Sequence, residues 1–488
     1  MQFRFCYIIL ILFVFSFTMF FSCEKINYTT NSEDKLIFST DSVKFDTVFS
    51  SIGSATKRFT VKNSNKKKSI VIDRIFVAKA NNSNYKLNIN GISSNNITDI
   101  ELSPGDSIYV FVMVNINPGR DEMVEDDSIV FISNENTQCV KLQAFGQDVN
   151  LIDGETITND MIWASTKPYL IYNSALVDTF ATLTIQAGTK IYFHKNSSLL
   201  VKGSLKVNGT TNNRVLFSGD RLENYYLELP GQWGMSLYDN AGNLRGLLGG
   251  IHLLAGSRYN EILNADIKNS SIGIQVDSCV TPNEPSLILK NSNIENNQLV
   301  GLYALGATIE AENCVFANCG YYTVACQIGG KYQFLHCTLA NYWKGTRPSP
   351  QLAFSNYYTY TQNNVEQISY RPIEAAYFGN CIIYGNKDNE INIDYNQGAE
   401  MNLYFENCLI KYKDTVKLKK TGSYINNVFN LNPNFIDTQS PYDYILDTLS
   451  AAKDKGKIEI GQLIPFDQIG NSRITDNKPD IGAFERQE

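Results

Sequence analysis

The Asn-x-Asp triplets Asn264-Ala265-Asp266 and Asn392-Ile393-Asp394 are among the residues whose types come nearest to glycosidic-bond chemistry. Hydrolysis of such a bond needs two carboxyl groups converging on it, one as acid and one as base or nucleophile. Neither triplet brings a second acid with it. The one Asp-Asp pair, Asp126-Asp127, lies far upstream. Elimination instead needs a basic residue beside an acidic, calcium-holding strand face, and no strand-like segment carries such a cluster. The loop Asp220-Arg221-Leu222-Glu223, with Tyr225, Tyr226, Trp233 and Asp239 nearby, is the closest approach; it reads as a solvated salt bridge. Three histidines are present: His194 at a strand end, His252 within a strand and His336 at a corner. No residue is assigned a catalytic role. No CxxC pair or His-rich set offers a metal site, and no cofactor is expected.

Aromatic residues give the stronger functional signal. Tyr342, Trp343 and Arg347 fall in one inserted loop; Tyr357, Tyr358, Tyr360, Tyr370 and Arg371 fall in the next. Exposed Tyr and Trp stack on sugar rings and anchor interfaces, because the ring is apolar and its edge is polar. Both loops leave one structural repeat, so they are expected side by side, forming a surface for a glycan or a protein partner. The competing reading is that they fold back and bury their rings.

The elements that position these loops follow from a repeat. It reads apolar, x, x, Asn, small, x, apolar, with the corner residue at Asn264, Asn291, Asn313, His336, Asn380 and Asn407. The steps are 27, 22, 23, 44 and 27 residues, the mark of a solenoid whose coils bury their faces only by stacking. Apolar positions two apart share a strand face. The odd step across the Asn breaks that parity, so the chain must turn there. Asn and His tolerate the left-handed region better than most residues, which predicts a corner between short strands and an Asn ladder up the stack. The predicted shape is a right-handed parallel β-helix with coils about 4.8 Å apart. The 44-residue step is read as one coil, with Gln351–Phe354 as a strand and long loops on both sides.

With 488 residues, two or more domains or a solenoid are expected. Net charge is −7 and no basic stripe exists, which argues against nucleic acid as a partner. Residues 1–22 form a targeting segment: Arg4 is the only charge before Glu24, and Tyr7 to Phe21 is almost wholly apolar. The run ends at Ser22-Cys23 and resembles a bacterial lipoprotein signal, with Phe20 where that signal usually has Leu. The resemblance implies that Cys23 carries the lipid (a palmitate among its acyl chains) and that the partner is a membrane of the cell envelope, the outer membrane, at its surface or periplasmic face. Eight cysteines remain once Cys6 and Cys23 are set aside. Cys314, Cys337, Cys381 and Cys408 share the small repeat position and read as an internal stack of reduced thiols.

Residues 23–35 read as a tether and 36–149 as a β-sandwich of about seven strands separated by turns such as Ser103-Pro104-Gly105-Asp106. A Pro-Gly-Asp turn, a Val-rich strand and the closing Leu142-Gln143-Ala144-Phe145-Gly146 resemble an immunoglobulin-like family. Residues 150–180 are expected to be a connector and N-terminal cap, and 181–488 the β-helix with a C-terminal cap. Gly231-Gln232-Trp233-Gly234, Asn432-Pro433-Asn434-Phe435 and Pro479-Asp480-Ile481-Gly482-Ala483-Phe484-Glu485 resemble the β-helix repeat lipoproteins of Gram-negative bacteria. A polygalacturonase-like pattern would add Gly-His-Gly and Arg-x-Lys, which are absent. The fold class is therefore all-β, an immunoglobulin-like sandwich followed by the helix. The favoured function is non-catalytic binding of a glycan or protein partner. The alternative is a polysaccharide lyase or glycoside hydrolase acting on a complex glycan.

Overall fold

The structure, a computed structural model, describes residues 26–50, 52–117, 124–238, 244–278, 284–363, 365–439 and 442–487. Cys23 and the targeting segment lie outside the described residues. The chain divides into two compact units, 1–148 and 149–488.

The first unit is a sandwich of two five-stranded sheets. Strands Lys57–Asn63, Ser107–Val114 and Tyr85–Ile89 form the centre of one; Asn136–Gln147, Val124–Ser133 and Ile70–Val77 form the centre of the other. Alternating burial along Ser107–Val114 and Tyr85–Ile89 follows the two-residue period of a half-buried strand. Phe59 meets Phe131 edge-on across the two sheets at 6.3 Å, inside one continuous apolar core. Seven strands match the turn signals. Asn96–Leu102 was not anticipated, because an edge strand with most residues exposed carries no apolar alternation.

The second unit is a parallel β-helix. Each coil passes through three ladders of parallel strands, which hold eleven, nine and ten strands among the described residues. Parallel strands joined this way are right-handed by the general rule. The 44-residue step is a single coil: Thr338–Asn341, Leu352–Ser355 and Ile373–Gly379 each pair directly with the next coil. Residues 150–180 are not a connector. Asn150–Asp153, Thr156–Ile157 and Met161–Trp163 pair in parallel with Tyr169–Tyr172, Ala175–Val177 and Thr182–Gln186, so the first two coils lie here. Their strands of two to five residues are too short to show a period in the sequence.

Every expected corner is left-handed. Asn264, Asn291, Asn313, His336, Asn380 and Asn407 have φ between 49° and 52°. Side chains link two successive pairs, Asn313 Nδ2 to Asn291 Oδ1 at 3.1 Å and Asn380 Nδ2 with His336 Nε2 at 3.0 Å. The ladder is therefore partial. Inside the coils Phe334, Phe378, Phe405 and Tyr424 stack at 4.7, 5.1 and 4.9 Å, nearly parallel. Cys314, Cys337, Cys381 and Cys408 form a fully buried column beside them.

The C-terminal motif does not close the end of the solenoid. Leu418, on the short helix Thr415–Leu418, joins the core there. The last residues instead run back along the corner and the outer face of the first ladder. Lys455 O accepts from Asn407, Lys457 N donates to Asn380 Oδ1 and Phe466 O accepts from Asn313. Ile481 and Ala483 cover the outward apolar side chains Ile382, Leu409, Val315 and Ala340. Gly482 is required: its φ is +107°, and a Cβ there would sit 2.7 Å from Ile382 Cδ1.

Candidate functional site

The two aromatic loops leave opposite ends of strand Leu352–Ser355, so the expected adjacency is not formed. The first bridges the first and second ladders; the second bridges the second and third.

The first loop is folded back onto the wall of the solenoid, against the coils before and after its own. Asn341 Oδ1 accepts the Trp343 amide, Asn386 Nδ2 donates to Trp343 O, and the indole lies over Gly320. Tyr342 packs edge-on against Phe435, and burial raises its phenol. Arg347 is no ligand-binding cation. Its guanidinium is buried and forks onto Glu390 at 2.8 and 2.7 Å, with Asn386 Oδ1 at 2.7 Å. Glu390 itself is fully buried and also accepts from the amides of Gln351 and Lys387. The pair holds the loop closed; its charges are spent on each other.

The second loop is a β-hairpin. Tyr357–Gln362 pairs antiparallel with Val365–Tyr370. Alternation sends Tyr358 and Tyr360 to one face, with rings 5.7 Å apart, and Tyr357 and Tyr370 to the other. Tyr358, Tyr360 and Tyr370 are 40, 43 and 43% exposed. Its root is fixed: Tyr357 donates to Asp394 at 2.9 Å, which raises the phenol, and Asn356 ties to Asn396 O and Ala399 O. Arg371 Nη1 reaches Ser278 Oγ at 2.8 Å and so braces the root. Val365, also exposed, shares the face of Tyr358 and Tyr360, whereas the exposed Ile368 shares that of Tyr357 and Tyr370. Sequence reading missed them because the segment looked like a polar loop, although Thr359, Ile368 and Tyr360 have the β-branched and aromatic bias of strands.

The acid-bearing candidates do not converge. Asp266 accepts from Arg214 at 2.9 Å and Asn293 at 2.8 Å on the first ladder, whereas Asp394 lies on the second. Arg221 pairs with Glu223 at 2.7 Å and lies over the Tyr226 ring. His194 contacts Asp220 at 2.6 Å, and His252 contacts Asp277 at 2.9 Å. Among the described residues no group of three or more His, Cys, Asp or Glu is placed to hold a metal ion. No described helix is long and apolar enough to cross a membrane.

No family model matches the chain, and no curated protein matches it. Solved structures give partial likenesses. The periplasmic chaperone SfaE is 12% identical over 23% of this chain and 58% of its own, with a TM-score of 0.18. A family 123 glycoside hydrolase from Clostridium perfringens is 6% identical over 25% of this chain and 26% of its own, with a TM-score of 0.18. The CooA pilin subunit of enterotoxigenic Escherichia coli is 12% identical over 23% of this chain and 95% of its own, with a TM-score of 0.16.

Proposed function

We propose that this chain is a lipid-anchored, non-catalytic binding protein of the cell envelope that presents hairpin 357–370 to a glycan. One observation carries the reading: three tyrosines stand exposed on a hairpin whose root is tied to a rigid solenoid. Rings held in place lose little entropy on binding, and their faces suit stacking on sugar rings. With Arg347 buried and Arg371 braced against Ser278, the surface relies on stacking rather than charge. The glycan is therefore neutral, and its binding resists salt. The anchor is the lipid on Cys23, motivated by the apolar run that ends at Ser22-Cys23; multiple acyl chains are needed for firm attachment.

The test begins with a glycan array. Tyr358→Ala and Tyr360→Ala should each weaken binding of the captured glycan about ten-fold without changing melting temperature. Unchanged affinity in both variants sinks the hairpin reading. Labelled palmitate should enter the native chain and not Cys23→Ser; label in the variant sinks the anchor.

A further inference from the structure

The C-terminal tail leaves one part of the first ladder uncovered. Between strand Asn293–Glu295, with Thr211, Arg214 and Val315, on one side and residues 442–445 and 468–469 of the tail on the other lies a cavity of about 310 Å³. This is room for one small molecule or one sugar unit. Arg214, Asn293 and Glu295 line it from the coils; Tyr442, Tyr444 and Gln468 line it from the tail.

Most of its side-chain nitrogen donors are already bonded. Arg214 gives Nε to Asp266 and Nη2 to Ala265 O, at 2.9 and 3.0 Å. Gln468 Nε2 binds Asn293 Oδ1 and Asn313 O, at 2.9 and 3.0 Å. Asn293 Nδ2 binds Asp266 at 2.8 Å. Glu295 differs: among the described residues its carboxyl has no hydrogen bond and no ion pair, although Lys268 stands opposite it in register. A second carboxylate, Asp443, also lines the space. The tail adds aromatic faces, with Tyr442 stacked parallel over Tyr444 at 6.1 Å. The unspent capacity is thus acceptor and π-face, which together select a positively charged donor. An anion would meet Glu295 and Asp443, and the cation that lines the space, Arg214, is already paired with Asp266.

We propose that this cavity binds an organic ammonium group, held by the Glu295 carboxylate and the face of Tyr442. The proposal is independent of hairpin 357–370. The ammonium can belong to a free amine or to an amino-sugar unit of a larger glycan; the chemistry at Glu295 is the same.

Glu295 also makes binding respond to pH. Burial, reinforced by Asp266 and Glu228, pushes its carboxyl up to about 7, against the opposing pull of Lys268 and Arg214. Tyr442 and Tyr444 face it from the tail; burial raises both phenols, and the charge of Glu295 adds to it. Only the ionised carboxyl attracts an ammonium, so affinity rises with pH through that range. An arriving cation in turn lowers the carboxyl's proton affinity and expels a proton.

Calorimetry on the full chain, with glucosamine, ethanolamine and glucose at pH 7.5 and 5.5, tests this. At least one amine should bind at pH 7.5, about ten-fold more weakly at pH 5.5, with a proton released to buffer; glucose should not bind. Glu295→Gln and Tyr442→Leu should each weaken the amine ten-fold or more, while Tyr358→Ala leaves it unchanged. Glucosamine without ethanolamine identifies an amino sugar; ethanolamine alone identifies a free amine. Failure of both amines to bind, equal binding of glucose, or full affinity in a folded Glu295→Gln chain overturns the proposal.

Discussion

Arg473, fully buried, donates Nη2 to Asn313 Oδ1 at 2.9 Å, joining the tail to a coil corner 160 residues earlier. The same guanidinium reaches Gly482 O at 3.1 Å and Glu485 at 3.3 Å. Glu485 in turn accepts the Asp480 amide at 2.9 Å. The Asp-Ile-Gly-Ala-Phe-Glu segment is therefore a lock: its glutamate holds Arg473, its apolar residues cover the wall, and its glycine permits the approach.

Breaking that lock should free the tail while leaving the coils stacked. Arg473→Ala removes one partner of a buried pair, which costs about 3–5 kcal/mol. Hydrogen exchange should accelerate at 479–486 and stay slow in the interior strands near Phe334 and Phe378. Equal acceleration in those interior strands would show that the tail holds the whole solenoid together.

His336 should make the tail acid-sensitive. Burial, with Arg473 close by, holds its imidazole well below the usual histidine range. A depressed folded value means the associated stability is present above the unfolded value near 6.5 and is lost as pH falls below it, at up to about 1.4 kcal/mol per unit. His336→Asn restores the residue found at the neighbouring corners. Melting curves at pH 7.5 and 5 should show the native chain losing more than the variant; parallel losses would remove His336 from the account.

Glu295 works in the opposite sense. Its folded value of about 7 lies above the ordinary carboxylate value, so the stabilisation is full below about 4.5 and is lost as pH rises through 7. Glu295→Gln should therefore gain about 1–3 kcal/mol on the native chain between pH 4.5 and 8. Urea titrations at those two pH values check it; a constant difference would refute the shift.

Arg347 should govern stability and not recognition. Arg347→Ala leaves Glu390 buried and unpaired, at a cost of about 3–5 kcal/mol. Arg347→Lys should recover only part, because an ammonium cannot fork onto both carboxylate oxygens. Glycan affinity at hairpin 357–370 should be the same in a folded Arg347→Lys chain.

The column of buried thiols gives a further check. Cys337→Asp places a charge where Cys314 and Cys381 stack above and below and should cost several kcal/mol. Cys337→Ser should be milder. An aspartate variant with native melting would mean that position 337 does not face inward.

The coil architecture was legible in the chain because it is written locally. A left-handed corner needs a residue that tolerates positive φ, and two-residue alternation on each side sets which side chains enter the core. Hence Asn264 through Asn407, the inward column of cysteines and the single coil spanning 336–380 were all readable. The fates of Arg347, Trp343 and the tail were not. Whether Arg347 faces solvent depends on Glu390, 43 residues on, arriving beneath it in the next coil. Whether Asp480 to Glu485 closes an end or lines a wall depends on outward residues such as Ile382 and Ala340, which have no sequence proximity to the motif. The Glu295 cavity is the remainder of that docking. Stacking order fixes which distant residues meet, and only the assembled solenoid sets that order.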